Sequence, residues 1–149
     1  MNRSRADRKL GLSAPAIVLL AALAAIRVPL HDLGLVREGS AVTWLLVFVP
    51  LAIWVAVVLW QRVANPILTL TVVGVVYGVM LAIIHQVFWG AVFGSNLPAL
   101  SGNLEGVLKP GLESVFFRIS AFLSSIFTGT LLGTIVGVVA WAIERVWRA

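Results

Sequence analysis

Four apolar runs, each about as long as a membrane crossing and each closed by charged or turn-forming residues, constrain this chain more than any other feature. They lie at about 10–28, 41–61, 67–90 and 118–143. A helix rises 1.5 Å per residue, so a hydrocarbon core of ~30 Å is crossed by about 20 residues. Of the 149 residues, 60% are hydrophobic and 11% charged, against roughly half and about a quarter in soluble domains. A soluble fold of this size has too little interior to hide that surface, whereas a bilayer solvates it. The expected architecture is therefore a single all-α integral membrane domain, four transmembrane helices in an up-down bundle.

The breaks between runs carry their own information. The first run closes at Arg27, and Pro29 and His31 weaken any extension. A basic start, an apolar middle and Ala22-Leu23-Ala24 also resemble a signal peptide; the expectation is an uncleaved anchor helix. Pro50 sits inside the second run and should kink it, a defect that membrane helices tolerate when neighbours satisfy the freed carbonyl. The stretch 61–66 is short enough to make runs two and three an antiparallel hairpin. The longest connection, 94–112, is rich in Gly, Pro, Asn and Ser. Within it the spacing of Leu100, Leu104, Val107 and Leu108 suits a short amphipathic helix on the membrane surface, with a loop as the alternative. The helical pattern of run four can begin as early as Gly111 or Leu112.

Charge sets orientation and excludes some functions. The formal net charge is +5. With the N-terminus inside, Arg3, Arg5, Arg8, Lys9, Arg62, Arg145 and Arg148 face the cytoplasm, seven against the four of Arg27, Arg37, Lys109 and Arg118 outside. Both termini are expected to be cytoplasmic. Trp44 and Trp89 then mark the outer interface, and Trp60, Trp141 and Trp147 the inner one; Trp54 lies deeper. These charges cap apolar runs without forming a basic face, so nucleic acid is not an expected partner. The absence of cysteine excludes disulfides, thiolate metal sites and CxxC redox chemistry. The arginine bias and Ala/Val/Leu/Gly richness point to a GC-rich prokaryotic genome, hence to a multi-pass protein of the inner (plasma) membrane.

Small residues recur every fourth position on two runs: Gly74, Gly78 and Ala82 on run three, and Ser125, Gly129, Gly133 and Gly137 on run four. Such stripes let helix backbones approach closely. They serve either packing of the two helices within one chain or self-association into a homo-oligomer or larger membrane complex. His85 is the only ionisable residue well inside an apolar run. It follows Gly74 by 11 residues, about 20° on a helical wheel, and so lies on the small-residue face. Ser125 falls at similar depth on the facing stripe. The arithmetic pairs His85 with Ser125 as a structural hydrogen bond; the alternative is a proton- or ligand-binding group.

Two further sets of polar residues are candidates. Arg27, His31, Asp32, Arg37, Glu38, Glu105, Glu113 and Arg118 gather toward the outer side, where Asp32 and Glu113 would serve as acid and base if they converged. Ser120, Ser124 and Thr128 form a polar line on run four, with Thr130 and Thr134 on another side. Back-bonding to their own helix is the ordinary use of such hydroxyls; a pore lining is the alternative. There is no HExxH, P-loop, GxSxG or GxGxxG motif, and no acidic residue in the first span of the kind small proton-coupled exporters carry. No metal or cofactor is expected. The functional expectation is a non-catalytic transport-related or accessory module assembled through glycine-lined helix faces. The alternative is a small membrane enzyme with an outward-facing site around His85, Asp32, Glu105 and Glu113.

Overall fold

A computed structural model describes residues 10–37, 39–94 and 96–148. The basic arm at 1–9 and Glu38, both used in the sequence reading, lie outside the described residues. Among those described, the chain is all-helical: α1 (Ala14–Ala25), α2 (Arg27–Asp32), α3 (Ala41–Trp60), α4 (Pro66–Val87), α5 (Trp89–Phe93) and α6 (Pro110–Trp147). α1 and α2 together make one apolar span, and with α3, α4 and α6 give four helices long and apolar enough to cross a membrane. Exposed Leu19, Phe48, Ile83 and Phe127 face outward, as lipid contact requires.

The helix boundaries follow local chemistry. Pro29 has no N–H for the Ala25 carbonyl, so the first helix breaks at Ile26 and resumes as α2. The span reaches Asp32, beyond the Val28 limit of the apolar run, because Pro29 falls in the first turn of the new helix, where its missing N–H matters least. Ser40 caps α3 through its hydroxyl on the Thr43 N–H, and Asn65 caps α4 on the Leu68 N–H, with Pro66 at the first helical position. Between α3 and α4 the chain turns through Arg62, whose φ of +50° is a left-handed conformation.

Two expectations needed correction. The last helix is 38 residues long, ~57 Å at 1.5 Å per residue, and so extends past the apolar run at both ends. It starts at Pro110, where proline at the first position and Glu113 in the first turn favour a helix start. No amphipathic helix forms at 100–108. Only a 3-10 turn, Gly102–Leu104, is present, because Gly102 and Gly106 adopt φ of +62° and +73°, which an α-helix cannot include.

The core centres on α4. Against it α6 runs antiparallel: Gly137 meets Ile67, Gly133 meets Gly74, Gly129 meets Gly78, and Ser125 reaches His85. A Cβ at Gly129 would lie 2.5 Å from Gly78 Cα, and one at Gly78 would lie 2.8 Å from Ile126 Cα. The backbones are in contact, so both glycine stripes are consumed within one chain. α1 packs on another face of α4. α3 closes the assembly more loosely, anchored by Trp54: its ring is fully buried, donates to the Leu20 carbonyl at 2.8 Å and meets Tyr77 edge-on at 6.1 Å.

Candidate functional site

The polar residues of the spanning helices are mostly used between α4 and α6. The Thr71 and Thr134 hydroxyls approach to 3.0 Å, one donating to the other, and each oxygen also lies within reach of a carbonyl of its own helix. His85 Nδ1 lies 3.1 Å from Ser125 Oγ. Ser125 Oγ is also 2.7 Å from the Ala121 carbonyl, which can only accept. The single serine proton goes to that carbonyl, so His85 donates through Nδ1–H and, in the neutral ring, keeps Nε2 as an acceptor. Toward the end of α4, Gln86 holds Arg118 at both ends of its amide: Gln86 Nε2 donates to the Arg118 carbonyl at 3.0 Å, and the guanidinium donates to Oε1 at 3.2 Å. The same guanidinium sits 4.9 Å above the Trp89 ring centre. Arg118 is thus fixed by an amide and an aromatic face. Sequence reasoning missed this pair; a glutamine directly after the intramembrane histidine was the available signal.

The outer polar residues do not form one cluster. His31 Nδ1 and Asp32 Oδ1 are neighbours at 3.4 Å. Glu113 accepts from the Leu100 N–H and so ties the connection before α6 to that helix. Glu105 is exposed in that loop, and Arg37 contributes its carbonyl to Thr43 at 2.8 Å. Arg27 lies elsewhere, beside a cavity between helices. Among the described residues no three His, Asp or Glu side chains gather as a metal site would need. The partner of His85 is the Ser125 hydroxyl, and no carboxylate is hydrogen-bonded to its ring among the described residues.

What these elements do create is a groove of about 410 Å³ at the α4–α5–α6 corner. Its walls are His85 from α4, Trp89, Val92 and Phe93 from α5, Pro98 from the loop, and Phe117, Ser120, Ala121 and Ser124 from α6. Trp89 is only 4% exposed, and its Nε1–H has no partner among the described residues. The sequence marks Trp89 as an interface residue, but α5 turns it inward, where it packs against Phe93 with ring centres 4.7 Å apart and planes tilted by 51°. Ser120, Ser124 and Thr128 face outward from the glycine seam. Unlike Ser125, Thr130 and Thr134, they show no back-bond to the helix among the described residues. No family model, no curated protein and no solved structure matches this chain.

Proposed function

We propose that this chain is a non-catalytic multi-pass membrane module, transport-related or accessory, whose working surface is the groove beside His85. The observation that carries the reading is the groove itself, almost wholly apolar but lined by the Ser120 and Ser124 hydroxyls, which show no back-bond to their helix among the described residues. An amphiphile with an apolar chain and an acceptor such as an ester carbonyl matches that lining. A lipid of the surrounding leaflet has this chemistry. The charge distribution supports an inner-membrane protein with both termini cytoplasmic and the groove toward the outer leaflet. Because the glycine seam is spent inside the chain, a homo-oligomer or larger complex would use the exposed faces of α3 and α6.

The test fills the groove. Ser124→Phe adds a ring to its wall at an exposed position away from the glycine seam. Native mass spectrometry of the purified protein should show lipid retained by the wild type and lost by Ser124→Phe, with the unfolding midpoint unchanged. Equal retention by both would refute the reading.

A further inference from the structure

Arg27 presents a problem that the groove does not solve. It sits ~20 Å along the first span from Ala14 and about 7–8 Å short of Asp32, half-buried, beside a partly enclosed cavity of about 130 Å³. All four spanning segments contribute to the walls, which are otherwise aliphatic apart from Tyr77 on α4 and Thr128 on α6. A guanidinium stays protonated in proteins. At this depth an uncompensated charge is costly, so an intramembrane arginine requires a partner, water or an escape to the interface.

Among the described residues Arg27 has no ion-pair partner. No acidic residue lines the cavity. Among the described residues the only ion pairs are His31 with Asp32 and Arg148 with Glu144, neither involving Arg27. The nearest acid in sequence, Asp32, contacts His31 through Oδ1, and its Oδ2 is buried without a partner and makes no ion pair with Arg27. The polar inventory of the cavity is instead rich in donors. Arg27 brings five N–H groups. Tyr77, 6% exposed, and Thr128, exposed on α6, bring hydroxyls that have no hydrogen bond among the described residues. Two backbone acceptors are released nearby: the Leu46 carbonyl on the cavity wall, whose usual N–H donor is replaced by Pro50, and the Ala25 carbonyl, freed by Pro29. Two carbonyls do not balance a charged five-donor group and two hydroxyls. The volume is too small for a lipid headgroup with its chains and ample for an ion of halide size with a water.

We infer that the cavity between the four spanning segments is a binding site for a small inorganic anion, held by the Arg27 guanidinium with the Tyr77 and Thr128 hydroxyls. The site is separate from the groove at His85, and neither reading depends on the other. The anion neutralises Arg27 inside the bundle and gives the unpaired hydroxyls an acceptor. It also couples α1–α2, α4 and α6 at a point where the glycine seam alone does not hold the first span.

The experiment compares chloride with gluconate at fixed ionic strength, using the full chain in an uncharged detergent. Chloride should raise the unfolding midpoint with the logarithm of its concentration above the dissociation constant, by about 3–6 °C at ten times that constant, and bromide should replace it. Arg27→Gln should abolish the rise; Tyr77→Phe and Thr128→Val should each weaken chloride several-fold while leaving the gluconate midpoint nearly unchanged. Equilibrium dialysis with radiolabelled chloride should give one ion per chain. The inference is overturned if the wild type does not distinguish chloride from gluconate, as expected when Arg27 reaches interfacial water. It is equally overturned if Arg27→Gln keeps the full rise, or if the rise needs added phosphatidylglycerol. Should Arg27→Gln fail to fold, undiminished chloride dependence in both hydroxyl variants overturns it.

Discussion

Replacing Gly133 by alanine adds one methyl group at the tightest part of the α4–α6 seam. Its Cβ would stand 2.8 Å from Gly74 Cα and 3.0 Å from Gly74 N. Carbon contacts are comfortable near 3.5–4.0 Å, so the helices must separate by roughly 1 Å there. The neighbour is backbone and cannot rotate away. Overpacking of this kind costs about 1–3 kcal/mol. The separation also strains the two inter-helix bonds flanking the site, Thr71–Thr134 at 3.0 Å and His85–Ser125 at 3.1 Å. Each such bond is worth about 0.6 kcal/mol in a membrane. Against this, alanine gains about 1 kcal/mol of helix propensity over glycine. The net expectation is a loss of about 1–3 kcal/mol, read by reversible unfolding in mixed micelles. Gly111→Ala, on the same helix with nothing within 4 Å of the added carbon, is the control and should be neutral or slightly stabilising. If Gly133→Ala matched that control, the backbone contact between α4 and α6 would be refuted.

Other expectations follow from individual contacts. His85→Gln keeps a donor toward Ser125 Oγ and should retain stability, whereas His85→Leu should lose no more than ~2 kcal/mol, and a double-mutant cycle with Ser125→Ala should give a coupling near 0.6 kcal/mol; zero coupling would show that the 3.1 Å approach contributes nothing. For orientation, a cysteine at Ser101, exposed in the outer loop, should react with an impermeant thiol reagent on intact cells, and one at Gln61, exposed in the α3–α4 turn, should be shielded. Labelling only at position 61 would invert the topology.

Much of the helical framework was legible because hydropathy and helical periodicity are local properties. The four spans, the His85–Ser125 register and the facing glycine stripes all follow from counting along the chain. The stripes alone could not distinguish packing inside one chain from packing between chains, since both need the same small residues. The apolar run places the membrane span of α6 from 118, because its first turns are only mildly apolar, while the helical pattern allows a start at Gly111, one residue from the observed Pro110, where Lys109-Pro110 and Glu113 carry the helix-start chemistry. The short helix expected at 100–108 fits the leucine spacing but not the left-handed backbone at Gly102 and Gly106. The candidate sites were the least legible part. Arg27 groups with the outer charges by position in the sequence, yet the packing of four spans places it beside an internal cavity. Trp89 looks like an interface marker until α5 folds it under Arg118. Both outcomes depend on how helices meet, which periodicity does not specify.

The groove is the centre of the functional account, and photo-crosslinking tests it most directly. A phospholipid carrying a photoreactive group next to its ester carbonyl is reconstituted with the full chain, irradiated, and its adducts mapped by peptide mass spectrometry. The account predicts adducts concentrated on Trp89, Phe93 and Phe117, and their loss in Ser124→Phe. Adducts spread over exposed lipid-facing residues such as Phe48 and Leu19, with none enriched in the groove, would contradict it.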